Sequence, residues 1–209
     1  MDKKRGFMIA LLPIVLSLSS PNLRAEETQR PTTSAASGEA RPHGVFLDEF
    51  GVGSGYAWGS LNGGHDRFSA VPMYLRIGFD MNSLFGMHDR RSTLQLALEP
   101  FVNPVTAPDH GVETGLDVFV RYLHPLFPSV KLVSEIGSGP MYLSIDTHEQ
   151  GKAGFNFLNQ FGLGSQVALS DKWALTVGYR FRHLSNAGTS TPNAGINSNA
   201  VTVSISALY

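Results

Sequence analysis

The chain has 209 residues, with 16 Lys and Arg against 17 Asp and Glu, and it contains no cysteine. A formal net charge of −1 gives no sign of a nucleic-acid-binding surface, and the lack of cysteine excludes disulfide bonds.

The N-terminal segment has the organisation of a secretory signal peptide. Lys3, Lys4 and Arg5 precede an apolar run of about 14 residues, which is too short to span a bilayer as a helix. Leu23-Arg24-Ala25 then fits a cleavage site, so we predict a signal peptide over residues 1–25. Residues 26–43 are small and polar and predict a flexible leader, which leaves 44–209 as one domain.

The rest of the chain alternates between strand-like segments and clusters of turn-forming residues such as Asn62-Gly63-Gly64 and Ser170-Asp171. Helical periodicity is not sustained in any segment. Together with the signal peptide, this pattern predicts an all-β fold, an eight-stranded antiparallel transmembrane β-barrel. The predicted strands cover residues 45–60, 67–80, 91–104, 112–124, 130–147, 154–169, 172–185 and 198–209.

Apolar and charged side chains occupy opposite faces of these strands. In the fourth, Leu116, Val118 and Val120 alternate with Asp117 and Arg121. A soluble sandwich would expose the charged face to water, whereas a membrane barrel would enclose it, and parity alone does not separate the two. In a barrel the enclosed charges must pair with one another, because unpaired buried charges are prohibitively costly. The predicted network consists of Arg76, Glu99, Asp117, Arg121, Glu135, Arg180 and Arg182.

The last segment favours the barrel. Val201, Val203 and Ile205 alternate with polar residues, and the sequence ends on Tyr209. A terminal strand that ends on an aromatic residue resembles the assembly signal of bacterial outer-membrane proteins, so we predict an outer-membrane location. Longer loops face outward in such barrels and short turns face the periplasm. The seventh strand therefore ends at the outer surface, where it carries His183 and Ser185.

His183 and Ser185 continue the lipid-facing parity of Tyr179 and Phe181. A serine hydroxyl becomes an effective nucleophile when a base takes its proton, and imidazole is suited to that role. Backbone amides in 186–188 or 193–195 could stabilise an oxyanion. The alternative is that His-x-Ser occurs by chance and that Asn, Gly and Pro form an ordinary loop.

The stretch HLSNAGTSTPNAGIN, residues 183–197, resembles the active-site motif of the lipid A 3-O-deacylase (acyloxyacyl hydrolase) family. The resemblance implies Ser185 as nucleophile and His183 as base, with Asn186, Gly188 and Asn193 near the oxyanion. It also implies a serine esterase that acts on lipid A of lipopolysaccharide in the outer leaflet. No cofactor and no metal ion are expected. A homodimer is one possible assembly, and the sequence does not decide the oligomeric state.

One position departs from the family pattern. Asn197 stands where the acid of a Ser-His-Glu triad is expected. An amide can accept a hydrogen bond from imidazole and set its tautomer, as in Cys-His-Asn proteases, but it cannot stabilise imidazolium by charge. Glu99 and Glu135 are poor substitutes because parity turns both inward. Two alternatives remain open: an outer-membrane phospholipase, and a non-enzymatic barrel in which the motif is only a stable loop.

Overall fold

The computed structural model describes residues 44–61, 64–87 and 91–209, and the predicted signal peptide and leader lie outside these ranges. No helix in the described ranges is long and apolar enough to cross a membrane. The described residues form antiparallel strands β1 (Phe46–Leu61), β2 (Asp66–Ala70), β3 (Met73–Asp80), β4 (Thr93–Ala107), β5 (Gly111–Phe127), β6 (Val130–Leu143), β7 (Gly154–Ala168), β8 (Trp173–Ser185) and β9 (Ile196–Leu208).

The sheet closes into a ring of eight strands, because β9 pairs with β1 from Glu49↔Leu208 to Gly59↔Ser198. This closure confirms the predicted eight-stranded antiparallel barrel. The second predicted strand, 67–80, is however two strands. Residues 71 and 72 interrupt it, because Pro72 has no N–H to continue the ladder. β2 and β3 occupy one position in the ring. Like β3, β2 lies between β1 and β4 and pairs with both.

The faces of the strands are those of a membrane barrel. In β5 the apolar side chains Val118 and Val120 are 40% and 49% exposed, whereas Asp117 and Arg121 are 1% and 0% exposed. A soluble sandwich requires the reverse arrangement, because water stabilises charges and not apolar surface. The other strands likewise carry apolar side chains on the exterior, which matches lipid surroundings, except β2, which buries Phe68 and exposes Asp66 and Arg67.

The barrel interior contains the predicted charge network. Glu99 binds Arg76 at 2.6 Å and Arg180 at 2.8 Å, while Glu135 binds Arg180 at 2.6 Å and Arg121 at 3.1 Å. These pairs offset the desolvation cost of enclosing charges. Asp117 instead accepts a hydrogen bond from Gln160 at 2.5 Å.

Two acids missing from the prediction complete the interior network. Glu49 pairs with Arg121 at 2.7 Å, and Glu113 pairs with Arg182 at 2.5 Å. Glu49 shares the inward face of β1 with Gly51 and Gly53, and a register shift between Leu47 and Glu49 reverses the alternation at the start of the strand.

An apolar cluster fills the interior beside the strand ends that carry the His183-Ser185 motif. Leu184 of β8 and Ile196 of β9 pair with each other and belong to this cluster, each 2% exposed. Because side chains alternate along a strand, the inward packing of these two residues turns His183, Ser185 and Asn197 outward. The remaining members are Ala57, Leu61, Phe68, Ala70, Tyr74, Phe101, Val105, Met141, Leu143, Ile145, Leu158 and Ala200.

Candidate active site

His183 and Ser185 lie at the end of β8, on the outer face of the barrel, as the sequence predicted. Both are half-buried, and they continue the outward row of Tyr179 and Phe181. The loop 186–195 follows them and leads into β9. The two polar side chains therefore stand on the lipid-facing side at one rim of the barrel.

His183 and Asn197 are direct cross-strand partners of β8 and β9. Their side chains form a hydrogen bond, with His183 Nδ1 and Asn197 Oδ1 separated by 2.7 Å. Because an amide oxygen can only accept a hydrogen bond, His183 Nδ1 carries the ring proton and donates the hydrogen bond to Asn197 Oδ1. The lone pair of Nε2 then remains available to accept a proton from another group. Asn197 thus occupies the place of the expected acid and can orient the ring.

Gly195 lies against the His183 ring. A Cβ atom built on Gly195 would lie 2.6 Å from His183 Cε1 and 3.3 Å from Nε2, and the residue has a φ of +79°. The β8–β9 ladder ends at Leu184↔Ile196, so Gly195 is the next residue beyond the partner of Leu184. The imidazole therefore leans from its own position towards the rim, to the level of Ser185.

Ser185 Oγ and His183 are not hydrogen-bonded to each other in the part of the chain that the structure describes. The two residues are i and i+2 on one strand, about 6.7 Å apart between Cα atoms at ~3.3 Å per residue. Because the ring tilts over Gly195, the imidazole lies closer to the Ser185 hydroxyl than the Cα separation suggests. Hydrogen bonds of this kind are often long in free enzymes and tighten with substrate.

The loop 186–195, which the sequence predicts to lie near the oxyanion, is fixed by hydrogen bonds within the loop and to Gln150. The Asn186 backbone N–H donates to Asn193 Oδ1 at 3.0 Å and to Gln150 Oε1 at 3.1 Å. The Gly188 N–H donates to Asn186 Oδ1 at 2.9 Å. Asn193 is exposed, and its Oδ1 accepts a hydrogen bond in this network. Asn186, Gly188 and Asn193 thus stabilise the loop through hydrogen bonds to one another.

Gln150 is a site residue that the sequence did not reveal. It is 3% exposed, lies in the loop between β6 and β7, and accepts the Asn186 N–H from 36 positions away. The neighbouring Glu149 carbonyl accepts the Ala194 N–H at 2.9 Å. Two loops are thereby joined at the rim. Contacts over this sequence separation leave no local pattern, so no signal in the sequence could have identified Gln150.

Two grooves of different character meet at the His183–Asn197 pair. His183 lines an apolar groove of about 440 Å³, a volume typical of ligand sites, with Val118, Ile136, Ser138, Asn159, Phe161 and Phe181. Asn197 lines a larger polar groove, whose other members include Tyr56, Trp58, Ser60, His65, Asp66, Arg67 and Asn199. In the described ranges, no group of three or more His, Cys, Asp or Glu residues is placed to hold a metal ion.

The model of the lipid A 3-O-deacylase (PagL) family matches residues 73–206, which include all of the site residues predicted from the sequence. The chain belongs to this family. Its members and the structures below also indicate the bacterial outer membrane as its location. A comparison with curated protein sequences gave no match.

Solved outer-membrane barrels share the fold. The crystal structure of the outer membrane enzyme PagL has a TM-score of 0.51 and 18% identity, covering 75% of this chain and 97% of that one. Neisserial surface protein A (NspA) has a TM-score of 0.55 and 12% identity, covering 79% of this chain and 99% of that one. At these identities the likeness concerns the fold alone.

Proposed function

We propose that the protein is a lipid A 3-O-deacylase that hydrolyses the ester of the 3-O-linked acyl chain with Ser185 as nucleophile and His183 as base. The observation that carries this proposal is the position of the His183–Asn197 hydrogen bond between two unlike grooves. An amphiphilic ester with its chain in the apolar groove and its sugar in the polar groove has its ester group at this pair.

The surroundings of the apolar groove support a membrane lipid as substrate. Phe161 and Phe181, which flank the groove, are 52% and 40% exposed on the outer face of the barrel. A groove on this face opens directly into the surrounding hydrocarbon. An acyl chain can therefore enter sideways from the membrane without crossing water. Lipid A lies in the outer leaflet, which is the expected depth of the rim that carries Ser185.

The reaction follows from the orientation of His183. Its Nε2 takes the proton of Ser185 Oγ as that oxygen attacks the ester carbonyl carbon. Asn193 Nδ2, on the loop held by Asn186 and Gly188, stabilises the tetrahedral oxyanion. The bond to the sugar oxygen then breaks, and that oxygen takes the proton from Nε2. A water molecule, deprotonated by the same nitrogen, releases the fatty acid from Ser185.

Asn197 has a more limited role than an acid would have. Its oxygen fixes the tautomer and the direction of the ring, which the attack requires. It supplies no negative charge when the ring becomes imidazolium. Glu99 and Glu135 do not supply this negative charge either, because both form ion pairs with arginines inside the barrel.

Substrate comparison tests the proposal against its alternatives. Purified protein in mixed micelles is incubated separately with lipopolysaccharide and with glycerophospholipid, and both are analysed by mass spectrometry. Loss of the 3-O-linked chain from lipid A supports the deacylase. Hydrolysis of glycerophospholipid alone would replace it by a phospholipase, and inactivity towards both would leave a non-enzymatic barrel.

A further inference from the structure

The two asparagines that line the polar groove are held by their oxygen atoms. Asn197 Oδ1 accepts the hydrogen bond of His183 Nδ1 at 2.7 Å. Asn199, the next outward residue of β9, accepts a hydrogen bond from the Tyr179 hydroxyl with its Oδ1 at 2.5 Å. In the ranges that the structure describes, neither amide nitrogen has a hydrogen-bond partner. Because an amide nitrogen can only donate hydrogen bonds, these two residues present two free donor groups on the outer face of the barrel.

The free nitrogens turn towards β1. Strand β9 lies between β8 and β1, and both amide oxygens are bound to side chains of β8. An amide that directs its oxygen at one neighbouring strand turns its nitrogen away from that strand. The polar groove lies on this side, across β1 and the start of β2. Trp58 of β1 is the direct cross-strand partner of Asn199, and the next outward residue of β1, Ser60, follows at the level of Asn197.

Arg67 brings a positive charge to the same groove. It pairs with Ser60 across β1 and β2, and both side chains are exposed. The register thus places Arg67, Ser60, Asn197 and His183 in one row across four strands. Neighbours in such a row have Cβ atoms about 5 Å apart, so the long Arg67 side chain can reach the space beside Asn197. The guanidinium forms no ion pair with the residues that the structure describes.

The composition of the groove favours an anionic ligand. Its free donors belong to two amides and a guanidinium, and hydrogen bonds from such donors to charged phosphate oxygens are short and strong. One carboxylate, Asp66, also lines the groove. Asp66 pairs with Leu61, whose side chain is buried in the barrel, so alternation directs Asp66 away from the face that carries Arg67. The donors therefore face a ligand whose oxygens carry negative charge.

We propose that the polar groove binds a phosphate monoester on the sugar that carries the hydrolysed ester, through Arg67 and the amide nitrogens of Asn197 and Asn199. This inference rests on the proposed function and specifies the substrate class as phosphorylated 3-O-acyl sugars. A phosphate on carbon 1 extends further from the carbon 3 ester than one on the adjacent carbon 4, and the groove leads away from His183. Asn197 then serves both ends of the substrate, because its oxygen orients the base and its nitrogen binds the phosphate.

Paired substrates test this recognition. A 3-O-acyl glucosamine lipid is prepared with a phosphate or a free hydroxyl on carbon 1, and kcat/KM is measured for each in mixed micelles. One charge-assisted hydrogen bond predicts a preference of about tenfold for the phosphorylated ester. In Arg67→Gln the preference falls towards one, because the loss of kcat/KM is larger for the phosphorylated ester. Arg67→Lys keeps the charge and retains part of the preference.

The matched control is Lys152→Gln, which removes a positive charge from the loop between β6 and β7 at the same rim, outside the polar groove. It retains the preference. Equal hydrolysis of both esters by the wild type would overturn the inference. So would an equal loss on both esters in Arg67→Gln, because it would indicate a structural role.

Binding without turnover separates this inference from the proposed function. Trp58 and Trp173 are the two tryptophans of the chain, and Trp58 is the one that lines the polar groove. In Ser185→Ala protein that also carries Trp173→Phe, the fluorescence of Trp58 is followed while the phosphorylated lipid, its unphosphorylated form or inorganic phosphate is added.

Tighter binding of the phosphorylated lipid supports the recognition even if the wild type hydrolyses neither ester, in which case the proposed function alone fails. Equal binding of the two lipids would overturn the recognition, whatever the activity. Binding of inorganic phosphate as tight as that of the phosphorylated lipid would overturn the assignment of the groove to the sugar of the substrate.

Discussion

Gly195 lies so close to the imidazole of His183 that no other residue can occupy its position without moving the ring. A Cβ at this position would lie 2.6 Å from His183 Cε1, a separation that real Cβ atoms do not show. The ring is held between this backbone and Asn197 Oδ1. The direction of Nε2 is therefore determined by the last residue of the loop, Gly195, and by Asn197 of β9.

Gly195→Ala is expected to lower kcat about 100-fold, since a displacement of about 1 Å at a reacting group can have an effect of this size. The substitution also places a Cβ on a residue with a φ of +79°. Gly86→Ala is the control for that backbone cost, because Gly86 has a φ of +61° and open space around it. Steady-state kinetics with a lipid A ester measure both. Full activity in Gly195→Ala would show that the ring position is not critical.

Asn197→Ala is expected to lower kcat about tenfold, because the ring loses the hydrogen bond that fixes its tautomer. Asn197→Glu should retain activity or raise it, since a carboxylate also stabilises imidazolium. Folding of each variant is checked by the heat-dependent mobility of the barrel in electrophoresis. Unchanged turnover in folded Asn197→Ala would remove Asn197 from the mechanism.

Gln150→Ala is expected to lower kcat/KM several-fold, although the Gln150 side chain is not expected to contact substrate. The reason is that the Asn186 N–H loses an acceptor that joins the two rim loops. Hydrogen exchange at the Asn186 amide should accelerate in parallel. Lys152→Ala changes an exposed side chain in the same loop and serves as the control. Lower activity with unchanged exchange at Asn186 would contradict a role through the loop.

Glu99→Ala is expected to lower the free energy of unfolding by about 3–5 kcal/mol, because it leaves Arg76 and Arg180 buried without this partner. Urea titration of the folded barrel in lipid vesicles measures the change. Asp109→Ala, in the exposed turn between β4 and β5, should leave stability within about 0.5 kcal/mol. A similarly small effect of Glu99→Ala would mean that the interior network does not stabilise the barrel.

The sequence was sufficient to predict the barrel because alternation is a local property. Arg76, Arg121 and Arg180 are each flanked directly in sequence by outward apolar residues, so their inward direction could be predicted from the strand itself. The break at Pro72 was missed because alternation continues in register across it. Glu49 continues the inward row of Gly51 and Gly53, but Val45 and Leu47 point outward before the bulge, so the alternation at the start of β1 places it on the wrong face.

The candidate site was predicted only in part, because half of its geometry depends on contacts between strands and loops. His183, Ser185 and Asn197 belong to one sequence motif, and the outward face of His183 and Ser185 followed from parity. The contact of Gly195 with the His183 ring and the hydrogen bond of Gln150 with Asn186 depend on how β9 and the loop between β6 and β7 pack against the loop 186–195. The grouping of Ser138 and Asn159 with His183 in one groove depends on the register of three strands.

The most direct test of the account is the mass of lipid A after treatment with matched serine variants. Wild type and Ser165→Ala, which alters a serine outside both grooves, should each remove the 3-O-linked chain from lipopolysaccharide. Ser185→Ala, folded to the same extent, should leave lipid A intact. Loss of that chain at the wild-type rate in Ser185→Ala would contradict the assignment of Ser185 as the nucleophile.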